Sequence, residues 1–365
     1  MTLLAGCRTL LGIDEGIVAT DGGSQTDGMP DAPFDAMIDA SPDAMLQSWW
    51  NASYPWRHSI TFDTTGLSVP IQSVPLLVRL PGTAIGLANG SDLRFVDWTN
   101  TRELPFEIET ISSTGAVIWV LMDLDASTKF YVYGGTLTPT AASSGAAVFG
   151  AYESVHHLQT FADASGHSHL AESVGPGTGA IDTNGIVNQA RDFDGTSDAY
   201  RLANSDTPFD FTSSLSASAW IKVQDFTTMY QPVVTKGDTS WRMQRENQTN
   251  MMAFGSNAGG LVNNAVGTTV VSNDQWHHVA ISFSANVKSL YVDGVLDATS
   301  IVATIDTNSQ EVRIGGNSQF SRFWKGKIDE VRISAVPRTS AQFKADLETV
   351  ITPARLTVGT REPMP

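Results

Sequence analysis

The stretch that most constrains the fold runs from Asp192 to Ser334, where short alternating runs follow one another between turn residues. In Leu215–Val223, Leu215, Ala217, Ala219, Ile221 and Val223 fall on one side, and Ser216, Ser218, Trp220 and Lys222 on the other. Successive side chains of a strand point to opposite faces, so a period of two marks a half-buried antiparallel strand. His277, Val279, Ile281 and Phe283 share a side in the same way. Ser289–Val292 and Val295–Asp297 are separated only by Asp293-Gly294. A two-residue Asp-Gly loop suits a type I′ turn, which needs positive φ at both positions. Asp194-Gly195 and Gly237-Asp238 punctuate other runs. Many short strands with turns between them predict an all-β sandwich or barrel.

The order of these segments is also that of a known family. Phe193–Tyr200, reading FDGTSDAY, resembles the FDG-x-x-DY opening of bacterial LamG-like (laminin G-like, concanavalin A-type) jelly rolls. The runs SLSASAWIK, WHHVAI, LYVDG, RIGG and WKGKIDEVRIS then follow in the family's order. The resemblance covers residues 150–350 and implies a jelly-roll sandwich. Residues 47–140 form a second strand-rich block, with Trp56–Phe62 alternating, Val74–Leu80 and Ala116–Leu121 apolar, and Lys129–Tyr133 ending at Gly134-Gly135. Through WRHSITFD, VPLLVRL, SDLRFVD, LPFEIE, IWVLMDLD and KFYVYGG it resembles the small β-domain of unknown function that often precedes LamG-like modules in bacterial surface proteins. That likeness implies an N-terminal smaller β-sandwich and no activity. Residues 351–365 are expected to be a C-terminal tail.

Residues 9–46 differ in kind. They hold eight acids (Asp14, Glu15, Asp21, Asp27, Asp31, Asp35, Asp39 and Asp43) and no Lys or Arg, half of the chain's net charge of −16. Five of the aspartates recur every fourth residue from Asp27. A helix would stack them on one face, where like charges repel, and Pro30, Pro33 and Pro42 oppose it. Residues 8–46 are therefore expected to be a disordered, solvated tether. A calcium-binding acidic array is the lesser reading, because charge runs are ordinarily solvated. Ahead of them Leu4-Ala5-Gly6-Cys7 matches a bacterial lipobox, so residues 1–7 are read as a truncated lipoprotein signal with lipidation at Cys7. Only six residues precede the cysteine, and a secretory leader needs an apolar stretch of about 7–15. The reading therefore expects a leader encoded upstream of Met1. Cys7 is also the single cysteine, so no intrachain disulfide can form. A net charge of −16 argues against nucleic acid or an anionic membrane as partner. Membrane attachment is expected only through a lipid on Cys7, since no apolar run is long enough to span a bilayer.

Candidate chemistry is sparse. Glucanases of the concanavalin A type carry an E-x-D-x-x-E strand that places acid and nucleophile in one cleft. Glu107 and Glu109 in FEIE alternate correctly but lack the aspartate and lie in the other block. Among histidines, His156-His157, His167-x-His169 and His277-His278 raise the question of zinc, yet adjacent residues of a strand face opposite ways and rarely supply two ligands. Alternation in Ile328–Ile333 groups Asp329 with Val331 and Ile333, which puts a carboxylate among core residues, where it needs a partner. The resemblance offers calcium, with Asp163 of Asp163-Ala164-Ser165-Gly166 as a second carboxylate from the family's D-x-S-G turn. Here His167-Ser168-His169 replaces the asparagine and glycine that usually follow. The alternative is a pair between Asp329 and Arg191 or Arg332. For a ligand, Tyr230, Trp241 and Phe320 are candidate aromatic platforms and Asn247 a candidate rim amide. Trp324 aligns with a packing residue.

These observations lead to a non-enzymatic cell-surface recognition module that binds an extracellular polysaccharide or a surface protein. Its expected place is the cell envelope, as an outer-membrane lipoprotein of a Gram-negative bacterium. Two alternatives stand beside it: an adhesive envelope lipoprotein without a small ligand, and an unrecognised glycoside-active enzyme.

Overall fold

Strands are the dominant regular structure of the described residues, and they build two sandwiches. The computed structural model describes residues 48–175, 177 and 179–365. The lipobox with Cys7 and the acidic segment 8–46 lie outside the described residues. Gln47–Pro365 cluster as a single compact unit.

The smaller sandwich pairs a five-stranded sheet with a three-stranded one. In the first the order is Leu356–Pro363, Trp56–Phe62, Lys129–Gly134, Arg94–Asp97, Glu103–Leu104, and in the second Ile71–Pro81, Gly115–Leu124, Phe106–Ile111. Ile60, Phe62, Leu76, Val78, Phe95, Ile118, Val120 and Val132 fill its core. The residues expected to form a C-terminal tail do not. After the helix Ser340–Ile351, Leu356–Pro363 returns to pair antiparallel with Trp56–Phe62, and Leu356 and Val358 pack on that core. Burying two apolar side chains and a row of amides gives the segment a reason to fold that its alternation, broken by Gly359, conceals.

The larger sandwich is the jelly roll. Its first sheet runs Ala180–Asp182, Ala190–Asp194, Lys325–Ser334, Leu215–Lys222, Trp276–Ser284, Val287–Val292, Val295–Ile301, with Ser154–His156 also on Lys325–Ser334. The second runs Leu261–Val270, Met251–Ala258, Arg242–Arg245, Pro232–Lys236, Val312–Ile314, Tyr200–Leu202, Ala171–Ser173. The alternating set Leu215, Ala217, Ala219, Ile221 and Val223 meets Val279, Ile281 and Phe283 in one core. Asp293 and Gly294 have φ of 51° and 73°, with Val292 paired to Val295, as a type I′ turn requires. The FDG motif is a turn as well: Asp194 Oδ1 accepts the amides of Thr196 and Ser197 at 2.7 and 2.8 Å.

The opposite face of the first jelly-roll sheet is not solvated. Trp220, on the polar side of its strand, packs with Trp119, Leu77, Phe149, Tyr152, Leu347 and Val350 in a third core between the sandwiches. Thr339 and Gln342 form a capping box that starts the Ser340–Ile351 helix. From there Ala345 reaches the small core while Leu347 and Val350 reach the shared one.

Candidate functional site

One irregularity decides where the carboxylates of Lys325–Ser334 go. Ser218 pairs with Arg332 and Trp220 with Asp329, so two residues, Glu330 and Val331, oppose Ala219 alone. Glu330 adopts φ 50° at this bulge. A bulge adds a residue and resets the alternation. Ile328, Val331 and Ile333 therefore all face the jelly-roll core. Asp329 instead lies across from Trp220, toward the small sandwich. The alternation that grouped Asp329 with Val331 and Ile333 is thus overturned.

On that shared side, carboxylates from both sandwiches converge on one imidazole. His157 Nδ1 lies 2.7 Å from Glu330 Oε1, and its Nε2 lies 3.2 Å from Glu107 Oε2. Glu109 Oε2 is 3.9 Å from Nδ1. Glu109, 2 % exposed in its side chain, accepts from the Trp119 indole at 2.7 Å and from the Gln159 amide. Arg332 contacts Glu330 at 3.2 Å and Asp346 at 3.8 Å, and its guanidinium lies 4.5 Å from the Trp119 ring. Burial, reinforced by the charges of Glu330 and Glu107, pushes the Glu109 carboxyl up to about 8. Burial works against the His157 imidazolium, yet Glu330, Glu107 and Glu109 hold it well above the ordinary histidine range. A cavity of about 320 Å³ opens beside Glu107, Glu109 and His157, with Asp163 on its wall.

Asp163 and Asp329, the two carboxylates from which calcium binding was expected, both accept hydrogen bonds from the chain. Asp163 Oδ1 accepts from the amides of Val155 and Ser165 and the Ser165 hydroxyl, and Oδ2 from the His169 amide. These bonds outweigh burial and keep the carboxyl below its ordinary range. Asp329 accepts the amides of Val187 and Glu330. Neither proposed arginine pairs with Asp329: Arg191 donates to the carbonyls of Leu158, Gly179 and Gln159, and Arg332 turns to Glu330 and Asp346.

Of the residues singled out for ligand binding, three gather and one does not. Trp241 is fully buried in the jelly-roll core and donates its indole N–H to Phe209 at 3.0 Å. An indole with both its face and its hydrogen engaged offers no platform. Tyr230, Asn247 and Phe320 meet at one loop cluster. The Tyr230 amide donates to the Asn247 carbonyl at 3.1 Å, and both residues have positive φ, 54° and 45°. Positive φ is uncommon outside glycine and costly for a bulky side chain. The Arg322 guanidinium lies 4.9 Å from the Tyr230 ring and 4.4 Å from that of Phe320, which is 48 % exposed. Arg322 is anchored by Asp238 at 2.8 Å. Elsewhere on the jelly roll an open groove of about 660 Å³ is lined by Asp192, Asp194 and Lys325 among others. Two of its lysines are paired, Lys222 with Asp274 on the groove wall and Lys327 with Asp182.

The motifs and the sandwich agree with a family comparison. Residues 194–343 match the model of the concanavalin A-like lectin/glucanases superfamily. The chain carries a concanavalin A-like domain. Residues 89–165 match a domain of unknown function (DUF2341), a segment that runs from the small sandwich into the histidine cluster. A search of curated proteins returned no match. Among solved structures, the chain is similar to domain 4 of AbnA, a GH43 extracellular arabinanase from Geobacillus stearothermophilus, in complex with arabinotriose. The identity is 21 % and the TM-score 0.44, over 54 % of this chain and 97 % of that one. The binding domain of Paraclostridial Mosquitocidal Protein 1 aligns at 15 % identity and TM-score 0.43, over 51 % of this chain and 49 % of that one. The botulinum neurotoxin serotype D binding domain aligns at 15 % identity and TM-score 0.43, over 56 % and 53 %. The chain thus spans about half the length of the latter two.

The Glu107–Glu109–His157–Glu330 group was not assembled from the sequence. The available signal was FEIE, which sets two carboxylates on one side of a strand whose other side is apolar. Where that side would dock depended on the bulge at Glu330.

Proposed function

We propose that the concanavalin A-like domain recognises an extracellular glycan at the loop cluster of Tyr230, Asn247, Phe320 and Arg322. The observation that carries this reading is the guanidinium held between two rings, with the Phe320 ring left open to solvent. Sugar rings present C–H faces that stack on aromatic rings and hydroxyls that accept from a guanidinium or an amide, the mix of one apolar platform and few fixed polar groups that ligand sites use. Backbone held at positive φ at Tyr230 and Asn247 fits loops ordered for binding. The experiment is a glycan array on the full chain with Phe320→Ala and Arg322→Ala beside it. Selective binding by the wild type and at least tenfold weaker binding by both variants is expected. A protein ligand, and not a glycan, is indicated if no glycan binds and cell-surface pull-downs lose their partner in the same variants.

The reading goes with attachment at the cell envelope through Cys7, with residues 8–46 setting the reach. Among the described residues no helix is long and apolar enough to cross a membrane. Acyl chains contribute about 0.8 kcal/mol per buried CH₂, so Cys7→Ser is expected to move the protein from the membrane fraction to the soluble one. Fractionation of cells expressing both forms measures this, and an unmoved variant would remove the anchor.

A further inference from the structure

We propose that Glu109, His157 and Glu330 form a site for a divalent cation of the zinc type that ties the two sandwiches together. The imidazole sets the geometry. His157 Nε2 lies 3.2 Å from Glu107, and Nδ1 lies 2.7 Å from Glu330 Oε1 and 3.9 Å from Glu109 Oε2; a cation would displace the Nδ1 proton and leave Nε2–H donating to Glu107. A histidine whose second nitrogen donates to a carboxylate is the ordinary way metal-bound imidazoles are oriented. The three ligand atoms lie within 4.8 Å of one another. Ligands about 2.0–2.2 Å from a tetrahedral zinc sit roughly 3.3 Å apart, between the shortest and longest separations found here. The carboxylates are themselves held: Glu109 by the Trp119 indole and the Gln159 amide, Glu330 by Arg332.

Donor type points the same way. Glu107, Glu109, Asp329 and Glu330 bring four carboxyl groups to one largely buried place beside the Arg332 guanidinium and one imidazole. One imidazole nitrogen with two carboxylate oxygens suits zinc, whereas calcium takes six to eight oxygens. The remaining position opens on the cavity of about 320 Å³, where water or a donor atom of a bound molecule completes the coordination. Glu109 belongs to the small sandwich and His157 and Glu330 to the jelly roll, so the ion is a bridge between them. This site shares no residue with the loop cluster of Tyr230 and Phe320, and the two proposals fail separately.

The test is calorimetric titration of the full, chelator-treated chain with zinc chloride alone, followed by elemental analysis after dialysis. One zinc per chain is expected for the wild type and none for His157→Ala. Glu107→Gln removes no ligand but weakens the orienting hydrogen bond, and tenfold to a hundredfold weaker binding is expected. Absence of stoichiometric zinc in the wild type, or equal binding by His157→Ala, overturns the proposal. Should His157→Ala not fold, Glu107→Gln decides, and wild-type affinity there overturns it.

Discussion

His278 is a buried group whose neighbours dictate how it responds to acid. Its ring lies 5.3 Å from Trp220 and 6.3 Å from Phe343, on the covered side of the jelly-roll sheet. Burial lowers it from 6.5 to about 4, with Asp346 and Asp293 pulling upward and Arg332 and Arg338 downward. The folded state therefore binds fewer protons than the unfolded state between those values. The stability His278 contributes is complete above pH 6.5 and is lost as pH falls through about 4. At 1.36 kcal/mol per pH unit the gap from 6.5 to 4 amounts to about 3 kcal/mol. Melting temperature followed from pH 7 to pH 4 should fall, and His278→Phe, which keeps an aromatic ring and removes the charge, should flatten that fall. An equally steep decline in the variant would assign the acid sensitivity elsewhere. Trp241 and Phe320 make the same point about context. Both are aromatic and near loops in sequence, yet one is core and the other half exposed.

At the level of elements, the Leu356–Pro363 strand is the largest departure from expectation. It closes an edge of the small sandwich, and Arg57 pairs with Glu362 at 2.7 Å while Arg361 stacks 4.2 Å from Trp56. Removing residues 353–365 would bare the Trp56–Phe62 edge and uncover the core beneath Leu356 and Val358. Partial burial of those two side chains stabilises on the order of 2–3 kcal/mol, and bare edges invite strand pairing between molecules. A lower melting temperature and concentration-dependent aggregation are expected of the truncated chain, read by scanning calorimetry and light scattering. A truncation that melts like the full chain would show that the strand is dispensable. The bulge in Lys325–Ser334 acts at the same scale: one extra residue moved Asp329 and Glu330 out of the jelly-roll face and into the contact between sandwiches.

Across the whole molecule, the two sandwiches are interlocked, not strung in sequence. The chain enters through the small sandwich, builds the jelly roll, and returns by helix Ser340–Ile351 and strand Leu356–Pro363 to finish the first. The polar-looking side of Leu215–Lys222 is the floor of that junction, with Trp220 buried in it. The histidine and carboxylate cluster sits in the same junction, built from residues about fifty and about two hundred positions apart. Neither sandwich alone contains it.

The sequence by itself determined what local rules govern: the all-β class, the core-facing sides of Leu215–Val223 and Val279–Phe283, the Asp293-Gly294 hairpin, and the turn at FDG. Each rests on alternation or on a backbone conformation that a few residue types favour, and both are written in consecutive residues. Tyr230, Asn247 and Phe320 were legible as candidates because loop aromatics and amides can be picked out singly. Their convergence around Arg322, and the loss of Trp241 to the core, were decided by packing. Only the tertiary structure placed Glu107, Glu109, His157 and Glu330 together and aimed backbone amides at Asp163 and Asp329. The reason is that a bulge resets strand parity without a sequence mark, and that a sheet face reads as polar or exposed until another sandwich is laid on it.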